Sequence, residues 1–133
     1  MLIKVQQDKP KAQSLKKMVE ISLERINKQN LDYPSHTLAD YYDIFKKLIE
    51  AIDAVEGIKF IGEGAHFLAI KDLCKRYNLS KSDEVLMQEL REYRNRVAYE
   101  GFFVNKEYIL SNQKRINYLI KNLLKKLNLL IQD

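Results

Sequence analysis

Chain-breaking residues are scarce in this sequence, which has only four glycines, two prolines and no tryptophan among 133 residues. Glycine and proline mark turns, so their scarcity favours long helices over many short strands. Apolar residues also recur at three- and four-residue steps, as on one face of an amphipathic helix. The length suits a single domain. We therefore predict an all-α protein with one domain over residues 1–133, an up-and-down bundle of four to five helices.

Two amphipathic helices are predicted in the first half of the chain. The first covers about residues 10–30. Its apolar stripe comprises Leu15, Val19, Ser22 and Ile26, widened by Met18, Ile21 and Leu23. The second begins near Thr37, because the Thr37 hydroxyl and the Asp40 carboxylate have a spacing like that of a capping box. It ends at Gly57 and is the most apolar segment, so we expect it to be the central helix.

Three further helices are predicted after Gly57. The segment GIKFIGEGAHF is interpreted as a turn, because its glycines match no phosphate-binding fingerprint. A shorter helix follows at about residues 65–77, and its expected inward side chains are Phe67, Leu68, Ile70, Leu73 and Cys74. Ser80 or Ser82 can cap the next helix, which ends at Gly101 after about Glu100. The last helix covers about residues 106–131.

Charge and cysteine content narrow the classes of function. The net charge of +5 and pI near 9.2 suit a phosphate-bearing partner, and equally a lysine-rich solvated surface. A lone cysteine, Cys74, excludes an internal disulfide and a multi-cysteine metal site, and we expect it to be buried. The two histidines, His36 and His66, form no recognisable metal site. We predict no metal and no cofactor.

Targeting signals are also lacking in the sequence. No apolar run approaches the ~18 residues that a transmembrane helix needs. The first residues, MLIKVQQDKPK, lack the apolar stretch and cleavage site of a signal peptide. We therefore predict a cytoplasmic protein without membrane contact.

The segment REYRNRVAYEGF, residues 91–102, is unusually polar for a helix of this chain. At about 100° per residue, a narrow sector holds the expected core stripe of Leu86, Leu90, Tyr93 and Val97. Asn95 and Tyr99 project from nearly the opposite side. Arg94 lies closest to the buried edge, where its stem can pack on the core while its guanidinium holds a phosphate or carboxylate.

Two interpretations of this segment differ in what covers it. In the first, Arg91, Arg94 and Arg96 pair with Glu92, Glu89 and Glu100 on a solvated face, each pair worth a few tenths of a kcal/mol. In the second, a partner covers Asn95, a poor interior helix former, and Tyr99, which is costly to leave in solvent. A two-fold homodimer would supply that cover, because isologous pairing is the commonest oligomer geometry.

The sequence RNRVAYEG resembles the polar motif of HEPN domains, small helical bundles in which an Arg precedes a His with four residues between. The phrase LREYRNRVAYEGFFV is similar to a prokaryotic, largely archaeal branch with Tyr in place of that His. The resemblance covers about residues 10–131 by helix pattern and about a dozen residues by motif.

The resemblance implies a metal-independent endoribonuclease of toxin–antitoxin or defence type, with two motifs meeting across a homodimer cleft. In catalytic members the 2′-hydroxyl of RNA attacks the neighbouring phosphate. By position, Arg94 would hold the phosphate charge, Asn95 would orient the site, and Tyr99 would stand where the His belongs. We expect Arg91 and Arg96 to join Arg94 in binding phosphate or RNA.

Tyr99 departs from the motif, in which a His stands at this position. This difference leads to an alternative function. An unperturbed tyrosine has a pKa near ~10, so at neutral pH it donates a hydrogen bond but is a poor general base. His66 is an auxiliary candidate for that base, although a histidine at a helix start is more often structural. The alternative is a non-catalytic HEPN module that binds RNA or nucleotide, or pairs with a separately encoded minimal nucleotidyltransferase.

A DNA-binding helix-turn-helix is a third interpretation. The segment IKDLCKRYNLSKSDEVLMQELR joins two predicted helices by a short turn with basic residues nearby. Its second helix would be about twenty residues long, and Asp83 and Glu84 would bring negative charge to the DNA. Both features count against it.

Overall fold

Helices account for most of the chain in the computed structural model, which describes residues 1–29 and 31–132. In chain order the elements are β1 (Leu2–Lys4), α1 (Lys9–Lys28), α2 (Pro34–Glu56), β2 (Ile58–Phe60), α3 (Ala65–Arg76), α4 (Lys81–Glu100) and α5 (Lys106–Gln132). The predicted all-helical class is confirmed apart from the two short strands.

The central element is α2, which packs against each of the other four helices. Its sequence is apolar around most of its circumference, and its fully buried side chains are Leu38, Tyr41, Ile44, Phe45, Leu48, Ala51 and Ile52. A helix that is apolar all round is stable only when neighbours surround it. The density of apolar residues in this segment therefore predicted its central position correctly.

A small antiparallel sheet corrects the interpretation of residues 57–67 as only a turn. Leu2 pairs with Phe60 and Lys4 with Ile58, and the backbone N–H of Ile61 donates to the carbonyl of Met1 at 3.0 Å. Each strand has three residues, too few for a visible alternation. In the sequence, α1 and α2 also separate the two strands, so no local pattern predicts their pairing.

Gly57 joins the end of α2 to this sheet. Its φ of +75° ends the helix in the left-handed region. A Cβ at this position would lie 2.8 Å from the carbonyl oxygen of Val5, whose N–H donates to the carbonyl of Gly57 at 2.8 Å. Only glycine fits both requirements without a shift of the backbone.

The start of α2 lies three residues before the predicted start at Thr37. Pro34 occupies the first helical position, where its fixed φ and missing N–H suit a helix start. Thr37 does not cap the helix but donates its hydroxyl to the carbonyl of Tyr33 at 3.2 Å. The Asp40 carboxylate instead accepts from Arg25 of α1 at 2.7 Å.

Two predicted core stripes are narrower than the sequence indicated. Met18 and Ile21 of α1 are each 48% exposed, and Phe67 and Leu68 of α3 are 41% and 37% exposed. The buried residues of α1 are Ala12, Val19 and Ile26, and those of α3 are Ile70, Leu73 and Cys74. Each helix meets α2 along one side only, which periodicity does not reveal.

The other predicted boundaries agree with the structure to within about two residues. Ser80 caps α4 by accepting from the N–H of Asp83 at 3.0 Å, and Gly101 ends it with φ of +67°. The predicted end of α1 at Asn30 lies outside the described residues, and α1 ends at Lys28. Every helix in residues 1–29 and 31–132 is too short or too polar to cross a bilayer.

An ion cluster fixes α3 against α2. Arg76 donates to Asp53 at 2.6 Å, to Glu56 at 2.6 Å and to Asp72 at 2.8 Å, and the Tyr77 hydroxyl donates to Glu56. Burial raises the pKa of Asp53 to about 6, against the opposing charge of Arg76. The cluster thus pairs the guanidinium of one half-buried arginine with several carboxylates.

The predicted burial of Cys74 is confirmed. Its side chain belongs to the core, and burial raises its pKa to about 12, with the charges of Glu84 and Asp83 adding to the rise. A thiol with so high a pKa forms little thiolate at neutral pH, so it is chemically quiet.

Candidate anion-binding site

The polar segment of the sequence forms the last turns of α4. Leu86, Met87 and Leu90 are buried on the core side of this helix, and Tyr93 and Val97 pack partly buried beside them. The apolar stripe predicted from the sequence therefore faces the core, and the arginines flank it.

The three arginines are divided between two sides of α4. The Arg91 guanidinium lies over the ring of Phe67 in α3, 5.5 Å from its centre, and its Nε donates to Gln88 at 3.0 Å. The Arg96 guanidinium lies 4.1 Å from the ring centre of Phe102, beyond the end of the helix. The structure thus places Arg91 toward α3 and Arg96 away from it, so they form no common cluster.

Arg94 is half-buried and lies on the same side of α4 as Arg91. Within residues 1–29 and 31–132, its guanidinium forms no ion pair and no hydrogen bond. Of the three pairs in the solvated-face interpretation, only Arg91 with Glu92 is present in this part of the chain, at 3.7 Å. Glu89 instead accepts from the Tyr108 hydroxyl.

Two titratable groups on neighbouring helices are within the electrostatic influence of Arg94. Burial raises the pKa of Tyr42 in α2 to about 12, and the charges of Arg91 and Arg94 oppose the rise. Burial also lowers the pKa of His66 at the start of α3, and Lys46, Arg94 and Arg91 lower it further. At neutral pH the Tyr42 hydroxyl is therefore a donor, and His66 is uncharged.

A narrow crevice connects these groups with a larger cleft. Tyr42, Lys46, Glu50 and His66 line the crevice between α2 and α3. Glu50 and His66 also line a cleft of about 600 Å³ that is bounded by the two-stranded sheet and α1. His66 thus borders both the crevice and the cleft.

The positive charges at this junction outnumber the negative ones. The charges of Arg91, Arg94 and Lys46 all lower the pKa of His66, and among the groups that act on His66 only the Glu50 carboxylate opposes them. In a partly desolvated region such an excess favours a bound anion. We name Arg91, Arg94, Lys46 and His66 the anion junction.

Asn95 and Tyr99 lie outside the anion junction. Asn95 is half-buried, and the Tyr99 side chain is 79% exposed. Neither forms a side-chain hydrogen bond within the described ranges. Consecutive residues of a helix diverge by about 100°, so Arg94 and Asn95 point to different sides. The three motif residues therefore do not converge within one subunit.

The contribution of α2 to the site was missed in the sequence. Tyr42, Lys46 and Glu50 follow one another at four-residue steps and share one face of α2. Charged residues at regular spacing in the most apolar helix could have indicated a functional face from the sequence. What the sequence could not show is that this row lies opposite His66 of α3.

Acidic groups that could hold a metal are not assembled in the described ranges, where no group of three candidate ligands occurs. The carboxylates of the α2–α3 cluster are instead occupied by Arg76.

Comparisons of the chain with protein-family models, with curated proteins and with solved structures found no match.

Proposed function

We propose that this protein is a HEPN-like helical bundle that binds the phosphates of RNA at the anion junction. The observation that carries this proposal is that Arg94 is a half-buried residue whose guanidinium has no carboxylate partner in the described residues. An arginine that is partly removed from water loses hydrogen bonds to water. An anion that accepts hydrogen bonds from the guanidinium compensates for that loss. The planar guanidinium suits phosphate, which it can bind through two parallel hydrogen bonds.

Binding is favoured over cleavage because of how the motif residues are arranged. Tyr99 is exposed and lies away from Arg94, and a tyrosine is a poor base at neutral pH. The Tyr42 hydroxyl, protonated because burial raises its pKa, is a further donor for a phosphate oxygen. The site thus offers several donors to an anion.

The proposal is tested by the binding of a short fluorescein-labelled single-stranded RNA, followed by fluorescence anisotropy. We expect Arg94→Ala to weaken binding about ten- to a hundredfold, the equivalent of one charge-assisted bidentate contact. The RNA affinity of Arg94→Lys should lie between those of Arg94→Ala and the unmodified protein, because lysine keeps the charge but lacks the planar guanidinium. Arg25→Ala is the matched control, since Arg25 pairs with Asp40 on the exposed side of α1. Equal affinity for Arg94→Ala and the unmodified protein would contradict the proposal.

Metal-independent RNA cleavage is a second candidate function, favoured by the state of His66. Its lowered pKa keeps the imidazole uncharged at neutral pH, so it can accept the proton of a 2′-hydroxyl as that oxygen attacks the phosphate held by Arg94. The bond to the 5′-oxygen breaks, and the leaving oxygen takes a proton from water. This assignment predicts cleavage of RNA in EDTA that is lost in His66→Ala, even at protein concentrations that saturate RNA binding. Intact RNA after incubation with the unmodified protein would exclude cleavage, and RNA binding would remain as the proposed function.

A homodimer is part of the proposal, because the motif residues do not converge within one chain. Tyr99 and Phe103 are 79% and 86% exposed at the same end of α4. A two-fold contact at this end would cover both aromatic rings and bring two copies of Asn95 together. A minimal nucleotidyltransferase is the alternative occupant of this surface.

A further inference from the structure

The last helix, α5, has a net charge of +5, the same as that of the whole chain. Of the 23 basic and 18 acidic residues in the chain, α5 holds six basic residues and one acidic residue. The remainder of the chain therefore has equal numbers of each and no net charge. The one acidic residue, Glu107, lies in the first turn, where the positive end of the helix favours it.

Four residues of α5 form a single exposed stripe, namely Lys114, Tyr118, Lys121 and Lys125. Their spacing of four, three and four residues places them within a sector of about 60°. The stripe is about 16 Å long at the rise of an α-helix. The Tyr118 side chain at its centre is 69% exposed.

Nothing within the described ranges uses this stripe. Its three lysines form no ion pair there, and the Tyr118 hydroxyl forms no hydrogen bond. The core-facing side of α5 carries Ile116, Leu119, Ile120, Leu123 and Leu127, nearly opposite the stripe. Of the three basic residues of α5 outside the stripe, Lys106 begins the helix, Arg115 donates to Ser82 at 2.7 Å, and Lys126 lies 5.9 Å from the ring centre of Tyr77.

We propose that this stripe binds single-stranded nucleic acid, with a base stacked on Tyr118 and phosphates on the lysines to either side. Proteins that bind single strands combine a positively charged track with aromatic side chains on which bases stack. An anionic membrane is the weaker candidate, because a helix that lies in a bilayer surface inserts its apolar face. The apolar face of α5 is already buried against α2.

This second surface is independent of the anion junction. Arg91 contacts α3, whereas the Tyr108 hydroxyl of α5 contacts Glu89 on another side of α4. The inference would therefore stand even if Arg94 bound no phosphate.

The lack of tryptophan in the chain gives a direct test. In Tyr118→Trp, the single indole reports stacking, and we expect its fluorescence to be quenched by a single-stranded RNA oligonucleotide. A duplex of the same sequence should quench it weakly, because its bases are already stacked. Tyr33→Trp is the matched control, since Tyr33 is 65% exposed and lies before α2. Adding Arg94→Ala to Tyr118→Trp should leave the quenching at saturating RNA in place.

Charge and stacking are separated by further variants. Replacing Lys114, Lys121 and Lys125 together by Gln should reduce the salt slope of binding by about 2, at ~0.7 per phosphate contact on a single strand. The same replacement of Lys4, Lys17 and Lys75 should leave the slope unchanged. Tyr118→Ala should weaken binding about tenfold and Tyr118→Phe little, because the ring stacks and the hydroxyl does not.

Two outcomes would overturn the inference. One is unchanged Tyr118→Trp fluorescence under saturating single-stranded RNA. The other is a spectral shift with anionic phospholipid vesicles and none with RNA, which would assign the stripe to a membrane surface.

Discussion

Two half-buried arginines, Arg76 and Arg94, have surroundings of opposite charge. Arg76 is matched by three carboxylates within 2.8 Å. Arg94 has no carboxylate partner in the described residues and lies near further positive charge. A guanidinium surrounded by carboxylates stabilises the fold, whereas one surrounded by cations destabilises it until an anion binds. We therefore interpret Arg76 as structural and Arg94 as functional.

The stability of two alanine variants follows from this contrast. Arg76→Ala leaves the buried Asp53 carboxylate unpaired and should lower the free energy of unfolding by about 3 kcal/mol or more. Arg94→Ala removes an unpaired charge and should change it by less than about 0.5 kcal/mol. Urea unfolding without added anion measures both. Similar losses in the two variants would contradict the functional interpretation of Arg94.

Asp53 predicts a specific pH dependence of stability. Its pKa is raised to about 6 in the folded protein from an ordinary value of 3.8, so the folded state binds the proton more tightly than the unfolded state. Stability therefore falls as the pH rises from about 4 to about 6, by on the order of 3 kcal/mol. Asp53→Asn removes this loss, so its stability relative to the unmodified protein should rise across that window.

The measurement for Asp53 is urea unfolding at several pH values between 4 and 7, with Asp40→Asn as the control carboxylate on the exposed Arg25 pair. If Asp53→Asn instead became relatively less stable as the pH rose, the ion pair with Arg76 would outweigh the cost of burial.

At the scale of elements, helix geometry explains what α4 does with its polar segment. Arg91 and Arg94 fall on the side that meets α3, and Arg96 falls on the side of Phe102. A sequence cluster of three arginines therefore becomes two separate contacts. The same geometry places Tyr99 away from both, which is why a complete site requires a second chain in our proposal.

Glycine positions give an element-scale prediction with an internal control. Gly57 and Gly101 both end a helix with positive φ, so alanine is strained by about 1 kcal/mol at either. Only at Gly57 would the new Cβ also meet backbone, at 2.8 Å from Val5, whereas Gly101 has open space. We expect Gly57→Ala to cost at least about 1 kcal/mol more than Gly101→Ala in thermal or urea unfolding. Equal losses would contradict the close approach of the Val5 carbonyl to Gly57.

Helices and their ends could be predicted because their signals are local. Ser80 and Gly101 mark α4 within the sequence itself, and the apolar density of α2 marks its central place. The two-stranded sheet could not be predicted, because its pairing depends on how α1 and α2 fold back. Arg94 could be placed at the buried edge from periodicity, but its neighbours Tyr42 and His66 come from other helices.

At the scale of the whole molecule, the polar residues of our proposals lie on different sides of a core centred on α2. One side carries the anion junction, and α5 carries the net charge. The exposed aromatic rings of Tyr99 and Phe103 lie near the connection between α4 and α5. In our proposals, anion binding, charge attraction and self-association therefore depend on different residues, and each can be tested by its own variant.

Self-association is the whole-molecule prediction. Light scattering after size exclusion should give a dimer at micromolar concentration, and Tyr99→Lys combined with Phe103→Lys should give a folded monomer. Placing lysines at these exposed positions adds like charges across a two-fold contact. Tyr33→Lys, at another exposed tyrosine, should remain dimeric. A monomer for the unmodified protein at these concentrations would exclude the shared cleft.

The contact between Arg94 and a phosphate can be observed directly by NMR of the arginine side-chain Nε–Hε groups during a titration with uridine 5′-monophosphate. We predict a saturable shift of the Arg94 signal, assigned with Arg94→Lys, while the signals of Arg25 and Arg96 stay in place. An Arg94 signal that does not move while other arginine signals do, or while none does, would contradict phosphate binding at the anion junction.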